Sequence, residues 1–159
     1  MTIQDWFDKY GESHQNPVNK AVHWICVPLI FATILGLLSL VPLGLGPELL
    51  PAAILPFAHL GSLLVLFGIV FFTRLSLPIA FGMALVSALL LLLVAEVNRS
   101  LGSDAWLLYL GVFVLSWIGQ FIGHKIEGAK PSFLDDLKFL MIGPAWLLHF
   151  IYRKLGISY

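Results

Sequence analysis

Long apolar runs separated by short polar segments dominate the chain, and five of them predict helices. The runs cover about residues 21–41, 57–73, 77–94 and 106–123, and a shorter run covers 137–152. A helix needs about 20 apolar residues to cross the hydrocarbon core of a bilayer, so the first four runs are predicted to be transmembrane helices. The fifth contains Gly143 and Pro144, so either a crossing helix or a shorter re-entrant or interfacial segment fits it.

The composition supports this interpretation. The chain has 159 residues, of which 59% are hydrophobic and 11% charged, whereas a typical globular domain is about 25% charged. A chain this short cannot bury so much apolar surface inside itself. The sequence therefore predicts an all-α, polytopic integral membrane protein with a single domain over residues 1–159, surrounded by membrane lipid. The formal net charge of zero gives no reason to expect a nucleic-acid partner.

Basic residues predict the orientation. One side of the predicted helices carries Lys9, Lys20, Arg74, Lys125, Lys130 and Lys138, and the other side carries only Arg99. Because Lys and Arg are enriched in cytoplasmic loops, the N-terminus, the turn at Arg74 and the loop at 124–138 are predicted to lie in the cytosol. This arrangement suits a bacterial inner membrane, or the endoplasmic reticulum if the protein is eukaryotic.

The predicted topology brings three histidines to the same membrane face. His14 and His23 flank the start of the first long helix, and His124 ends the fourth. Neutral imidazole is the commonest metal ligand in proteins, and several imidazoles with a carboxylate favour iron, zinc or manganese. The lone cysteine, Cys26, makes thiolate and iron–sulfur sites unsuitable.

Neighbouring polar residues point to the same site. A polar stripe on the fourth helix consists of Ser116, Gln120, His124 and Glu127. Polar groups within a membrane helix usually face the bundle interior and serve a function. Asn19 and His23 share one face of the first helix because they are four residues apart. Gly119 and Gly123 form a small-residue pair that would let another helix approach closely.

Each residue also has a simpler interpretation. His14 can be an ordinary loop histidine, His23 an interfacial side chain, and His124 with Glu127 a salt-bridged helix end. The polar stripe can serve helix–helix packing alone. The remaining histidines are predicted to lie outside the site. His59 falls at the opposite membrane face, and His149 lies about ten residues into the last segment, which places it too deep unless Pro144 folds that segment back.

Two gapped blocks of residues resemble a known family. The first is His14-x-Asn16-Pro17-x-Asn19-x-x-x-His23, followed by Val27-Pro28. The second is Trp117-Ile118-x-Gln120-Phe121-x-Gly123-His124, followed by Glu127, Pro131 and Leu134-Asp135. Together with Pro144 and the closing Lys154-Leu155-Gly156, they are similar to the signatures of the membrane 2-hydroxy fatty acid dioxygenases. The middle of the chain matches only as generic apolar helices.

The resemblance implies an iron(II)-dependent enzyme that uses dioxygen to convert a 2-hydroxy fatty acid into a fatty acid one carbon shorter. On this hypothesis His14, His23 and His124 bind Fe(II), and Glu127 is a fourth ligand or a nearby base. Asn19 and Gln120 would orient ligands or substrate, and Lys125 or Lys130 would steer the substrate carboxylate. The residues themselves leave two alternatives open: a membrane metallohydrolase that acts on lipids with zinc, and a non-enzymatic membrane protein that binds metal or haem.

Overall fold

The fold is known from a computed structural model that describes residues 1–128 and 139–159. Within those residues the regular structure is helical, apart from an isolated bridge between Pro42 and His59. The α-helices are α1 (Ile3–Gly11), α2 (Pro17–Ser39), α3 (Leu60–Thr73), α4 (Leu77–Leu101), α5 (Ala105–Glu127) and α6 (Ile142–Leu155). The prediction of an all-α fold is confirmed for this part of the chain.

Helix α1 was not among the predicted helices, although the sequence contains two signals for it. The side chains of Ile3, Phe7 and Tyr10 recur at helical spacing and are buried. Thr2 and Asp5 form a capping box, in which each side chain accepts a hydrogen bond from the other residue's backbone N–H; this pattern starts helices. The buried face of α1 packs against α6, so α1 has a fixed position at the edge of the site described below.

Two helical stretches are long and apolar enough to cross a membrane, Pro17–Ser39 and Leu77–Glu127. The second is 51 residues long and folds back at Gly102, whose φ is +53°. The Tyr109 hydroxyl donates to the Asn98 side-chain oxygen at 2.9 Å, which shows that α4 and α5 run antiparallel. Helix α4 is longer than predicted because its charged end, with an ion pair between Glu96 and Arg99, remains helical.

Helix α3 differs most from its predicted span. It has 14 residues, or about 21 Å of helix, which is shorter than a bilayer core of about 30 Å. The predicted start at residue 57 is wrong because Leu55–Phe57 form a 3₁₀ turn and His59 caps the helix from outside. Large apolar side chains on the outer surfaces of the helices remain exposed, among them Leu66, Phe67, Leu89, Leu92 and Leu115. Apolar surface of this extent is typical of a contact with lipid or another protein.

Helices α2 and α5 form the most extensive contact between elements. Their pairing is antiparallel, since Gly36 faces Tyr109 near one end and Gly123 faces Asn19 near the other. A Cβ atom at Gly119 would lie 2.7 Å from the Cys26 sulfur, and one at Gly123 would overlap the Asn19 side-chain oxygen. The close approach predicted from these two glycines is confirmed, and the partner helix is α2.

Helix α6 lies between the middle of the bundle and one of its ends. Gly143, near its start, faces Val27 in the middle of α2, while the Tyr152 hydroxyl, near its end, donates to the Pro78 carbonyl at the start of α4, at 2.8 Å. Fourteen residues span about 21 Å, which is shorter than the bilayer core of about 30 Å. Of the two possibilities for this segment, the contacts favour a helix that lies against the bundle rather than one that crosses the bilayer.

Candidate metal centre

Three histidines from three different segments converge at the end of the bundle where α2 begins and α5 ends. Each of His14, His23 and His124 offers one ring nitrogen, and these three atoms lie within 4.8 Å of one another. The ring centroids are 4.2 Å apart for His14 and His23, 5.3 Å for His14 and His124, and 5.0 Å for His23 and His124. All three side chains are buried, with at most 3% exposed. The structure thus brings together the three predicted ligands.

Backbone hydrogen bonds orient two of the imidazoles. The Nδ1 atom of His14 lies 2.6 Å from the Tyr10 carbonyl oxygen, and Nδ1 of His23 lies 2.9 Å from the Asn19 carbonyl oxygen. A carbonyl oxygen only accepts, so Nδ1 carries a proton in both rings, and in the neutral imidazole Nε2 then carries the lone pair. Such a bond to the other ring nitrogen is the usual way in which proteins fix the tautomer of a metal-binding histidine.

Helix α1 positions His14. The Tyr10 ring stacks on the His14 ring at a centroid distance of 4.3 Å and an interplanar angle of 15°. Trp146 of α6 packs against both rings, with centroids 5.2 Å from Tyr10 and 5.4 Å from His14. Tyr10 and Trp146 were not predicted to belong to the site. Aromatic residues near a membrane boundary are commonly packing residues. The helical spacing of Ile3, Phe7 and Tyr10 would have indicated the first of them.

Glu127 lies beside the histidines and joins the end of α5 to the start of α2. Its carboxylate accepts hydrogen bonds from the backbone N–H groups of Gln15 at 2.8 Å and Asn16 at 2.9 and 3.1 Å. It also accepts one from the Asn19 side-chain amide at 3.0 Å. Both carboxylate oxygens are therefore engaged at the N-terminus of α2, where a negative charge is favourable.

Asn19 lies at the centre of this polar network and is fully buried. Its side-chain amide donates to the Ser13 carbonyl at 3.2 Å as well as to Glu127, and its backbone carbonyl accepts from His23. Gly123 faces the Asn19 side chain so closely that a methyl group there would overlap it. The residue therefore connects the loop that carries His14, the helix that carries His23 and the acid next to His124.

A small cavity of about 30 Å³ lies about one helical turn from the histidines, on the side towards the middle of the helices. Tyr10, Val27 and Gln120 line it, and each is four residues from one of the three histidines. The rest of the described wall consists of Ile30, Trp117, Phe139, Leu140 and Gly143. Gln120 is only 5% exposed, and its Oε1 atom has no hydrogen-bond partner among the described residues.

A larger polar cavity of about 320 Å³ adjoins His14 from the other side. Its wall includes Lys20 and Arg153, together with Asp8 and Glu12. His149 is also part of this wall and so lies in the same cavity as His14, which agrees with the exception stated for that residue, a segment folded back at Pro144. Burial lowers the pKa of the His149 imidazole, whose Nδ1 donates to the Trp146 carbonyl.

Lys125, a predicted substrate-binding residue, is not part of the cluster, and neither are the two histidines that were predicted to lie outside the site. His59 caps α3 and accepts the Ser62 N–H at 3.3 Å, and neither His59 nor His149 belongs to the group of histidines that converge. Lys125 is exposed on α5, and neither of the two cavities that adjoin the histidines includes it among its described lining residues. Lys130 lies outside the residues that the structure describes.

Comparison with known proteins gives a consistent result over almost the whole chain. The family model described as 2-hydroxy-palmitic acid dioxygenase Mpo1-like matches residues 1–155. The 2-hydroxy-palmitic acid dioxygenase MPO1 of Saccharomyces cerevisiae is 31% identical over 151 residues, which cover 92% of this chain and 78% of the yeast protein. No solved structure matches the chain. On the family match and the yeast relative, the chain belongs to the Mpo1-like family of 2-hydroxy-palmitic acid dioxygenases.

Proposed function

We propose that this protein is an Fe(II)-dependent dioxygenase that shortens 2-hydroxy fatty acids by one carbon. The observation that carries the proposal is the buried group of His14, His23 and His124 in a chain whose yeast relative is named a 2-hydroxy-palmitic acid dioxygenase. In the overall reaction, 2-hydroxypalmitate and dioxygen would give pentadecanoate, carbon dioxide and water. The bond between carbons 1 and 2 breaks, and dioxygen takes up the four electrons that the substrate loses.

The donor set fits a divalent iron ion. Three imidazole nitrogens at short mutual distance, two of them with the lone pair fixed on Nε2, suit iron, zinc and copper better than magnesium or calcium. His14, His23 and His124 would hold the ion on one side. A bound Fe(II) would supply the one-electron chemistry that lets dioxygen react with a closed-shell organic substrate.

Glu127 is proposed to act through its neighbours. Its carboxylate oxygens are occupied by the backbone of Gln15 and Asn16 and by the Asn19 amide, so the role that fits this geometry is positioning. Because Asn19 in turn holds His23, the network fixes the relative placement of the helices that carry the histidines. Residues of this kind commonly change metal affinity about 10- to 100-fold when they are replaced.

The position of the site suits an amphiphilic substrate. The histidines lie where α2 begins and α5 ends, and the charge distribution predicts that this end of the bundle faces the cytosol. A polar cavity with Lys20 and Arg153 adjoins His14, so these cations are better placed for a substrate carboxylate than the exposed Lys125. The acyl chain of the substrate would lie against the helices, whose outer surfaces expose apolar side chains. Four membrane crossings and a cytosolic N-terminus remain part of this proposal.

The reaction itself tests the proposal. Protein purified in detergent and loaded anaerobically with Fe(II) is mixed with 2-hydroxypalmitate and dioxygen, and the products are identified by mass spectrometry. Pentadecanoate that depends on both Fe(II) and dioxygen is expected. Turnover that proceeds with zinc and without dioxygen would instead indicate a metallohydrolase. The absence of any product under all of these conditions would indicate a binding protein.

A further inference from the structure

We propose that the Gln120 side-chain amide recognises the 2-hydroxyl group of the substrate and so distinguishes 2-hydroxy fatty acids from unsubstituted ones. The inference rests on the proposed function, because it assigns one substrate group to one side chain in that site. It starts from the placement of Gln120 on α5, one helical turn from His124 and next to the cavity beside the histidines.

The amide of Gln120 is buried in mostly apolar surroundings. Its Oε1 atom is inaccessible and has no hydrogen-bond partner among the described residues. A glutamine amide offers two acceptor sites and two donor protons, and a buried acceptor that remains unsatisfied costs about 1–3 kcal/mol. A ligand that brings a hydrogen-bond donor to this atom therefore gains a bond that the folded protein does not otherwise make.

The cavity has room for a substituent of the size of a hydroxyl group. Its volume of about 30 Å³ exceeds the roughly 10–15 Å³ that a cavity needs to hold one water molecule. Val27 and Gly143 form apolar parts of the wall, and a Cβ atom at Gly143 would lie 3.1 Å from the Val27 side chain. This space can therefore hold a hydroxyl-sized group against Gln120, one helical turn from His124.

Substrate chemistry supplies the matching donor. A 2-hydroxy fatty acid differs from the ordinary fatty acid by one O–H group on carbon 2, the carbon next to the carboxylate. The hydroxyl oxygen is two bonds from the carboxyl carbon, so a substrate whose carboxylate is bound at the histidines carries that hydroxyl within a few ångströms of them. Gln120 lies one helical turn, about 5.4 Å, from His124 along α5. Sites built to hydrogen-bond a hydroxyl reject analogues without it strongly, because the buried protein group then remains unpaired.

The test compares two ligands of nearly equal size. Binding of 2-hydroxypalmitate and of 2-fluoropalmitate, which has no proton to donate, is measured anaerobically by calorimetry on the Fe(II)-loaded full-length protein in detergent. The wild-type protein is expected to bind the hydroxy acid roughly tenfold more tightly, as one buried hydrogen bond would provide. In Gln120→Leu and Gln120→Met, which keep the size but lose the amide, the two affinities should agree within about twofold.

A matched control comes from the same helix. Ser116 is buried one turn further along the polar stripe and is not among the described residues of the cavity wall, so Ser116→Ala should keep the wild-type preference. A preference that survives in either Gln120 variant, or a wild-type protein without any preference, would overturn the inference. Wild-type protein that prefers the hydroxy acid but forms no pentadecanoate would contradict the dioxygenase proposal while supporting the role of Gln120.

Discussion

The carboxylate of Glu127 accepts the backbone N–H of Asn16 through both of its oxygens, at 2.9 and 3.1 Å. The two residues are 111 positions apart in the chain, yet this contact closes the end of α5 onto the first turn of α2. The N-terminus of a helix has N–H groups without partners inside the helix, and Glu127 supplies acceptors for that end. The acid next to the histidines therefore has a structural task.

Replacing Glu127 separates a positioning residue from a metal ligand. Glu127→Ala leaves two backbone N–H groups without their acceptor, so unfolding in detergent should become easier by about 1–3 kcal/mol. The affinity for Fe(II) should fall about 10- to 100-fold but should not vanish. Denaturant unfolding in detergent checks the stability, and metal content measured over a series of Fe(II) concentrations checks the affinity.

An exposed acid serves as the control for Glu127. Glu96 pairs with Arg99 on the surface of α4, and removing an exposed ion pair changes stability by less than about 1 kcal/mol, so Glu96→Ala should keep full metal affinity. If Glu127→Ala lost the metal as completely as a histidine variant, Glu127 would be a direct ligand.

The histidines should fall into two groups. His14→Ala, His23→Ala and His124→Ala should each abolish bound iron and turnover, because every one removes a third of the donor set. His59→Asn keeps an acceptor at the cap of α3 and should retain both iron and activity, whereas His149→Gln should retain iron. Iron content of the purified variants, measured by mass spectrometry, decides the point. Full occupancy in any of the first three variants would refute the assignment.

The contact between Gly123 and Asn19 predicts a sensitive position on α5. Gly123→Ala places a methyl group against the Asn19 side chain, so α2 and α5 must separate or Asn19 must move, at a cost of about 1–3 kcal/mol. Metal affinity should fall with it, because the Asn19 carbonyl holds His23. The measurements are the thermal midpoint in detergent and the Fe(II) affinity.

The same helix offers a glycine in open space for comparison. No atom lies within 4 Å of a Cβ built at Gly111, and alanine is favoured over glycine in a helix by about 1 kcal/mol. Gly111→Ala should therefore leave the site unchanged and keep or raise the thermal midpoint. Equal effects of the two substitutions would show that the close contact at Gly123 does not matter to the site.

The predicted orientation can be tested with single cysteines. In a Cys26→Ser background, Gln4→Cys marks the end of the bundle that carries the histidines, and Ser103→Cys marks the turn between α4 and α5. With the N-terminus in the cytosol, a membrane-impermeant maleimide should label position 103 in spheroplasts and position 4 only in inverted vesicles. Labelling of both positions from the same side would contradict a crossing of the membrane between them.

Several parts of the site could be predicted from the sequence. The apolar runs placed α2, α4 and α5 because long helices depend on local composition. Counting the crossings then put His14, His23 and His124 at one end, and glycine spacing indicated the close helix contact. Local patterns were less reliable where the chain stops being periodic. The 3₁₀ turn shortened α3, and the charged end of α4 continued as helix because its residues pair three positions apart.

The tertiary structure decided how α1, α6 and Glu127 are placed around the histidines, because these placements depend on contacts between residues far apart in the chain. The sequence determined that His14, His23 and His124 share one end of an apolar helical protein, since helix length and order depend on local pattern. Only the fold showed that α1 stacks Tyr10 on His14, that α6 turns against the bundle, and that Glu127 is held by the start of α2. Side-chain direction at a shared site is set by packing among several helices, and no local spacing encodes it.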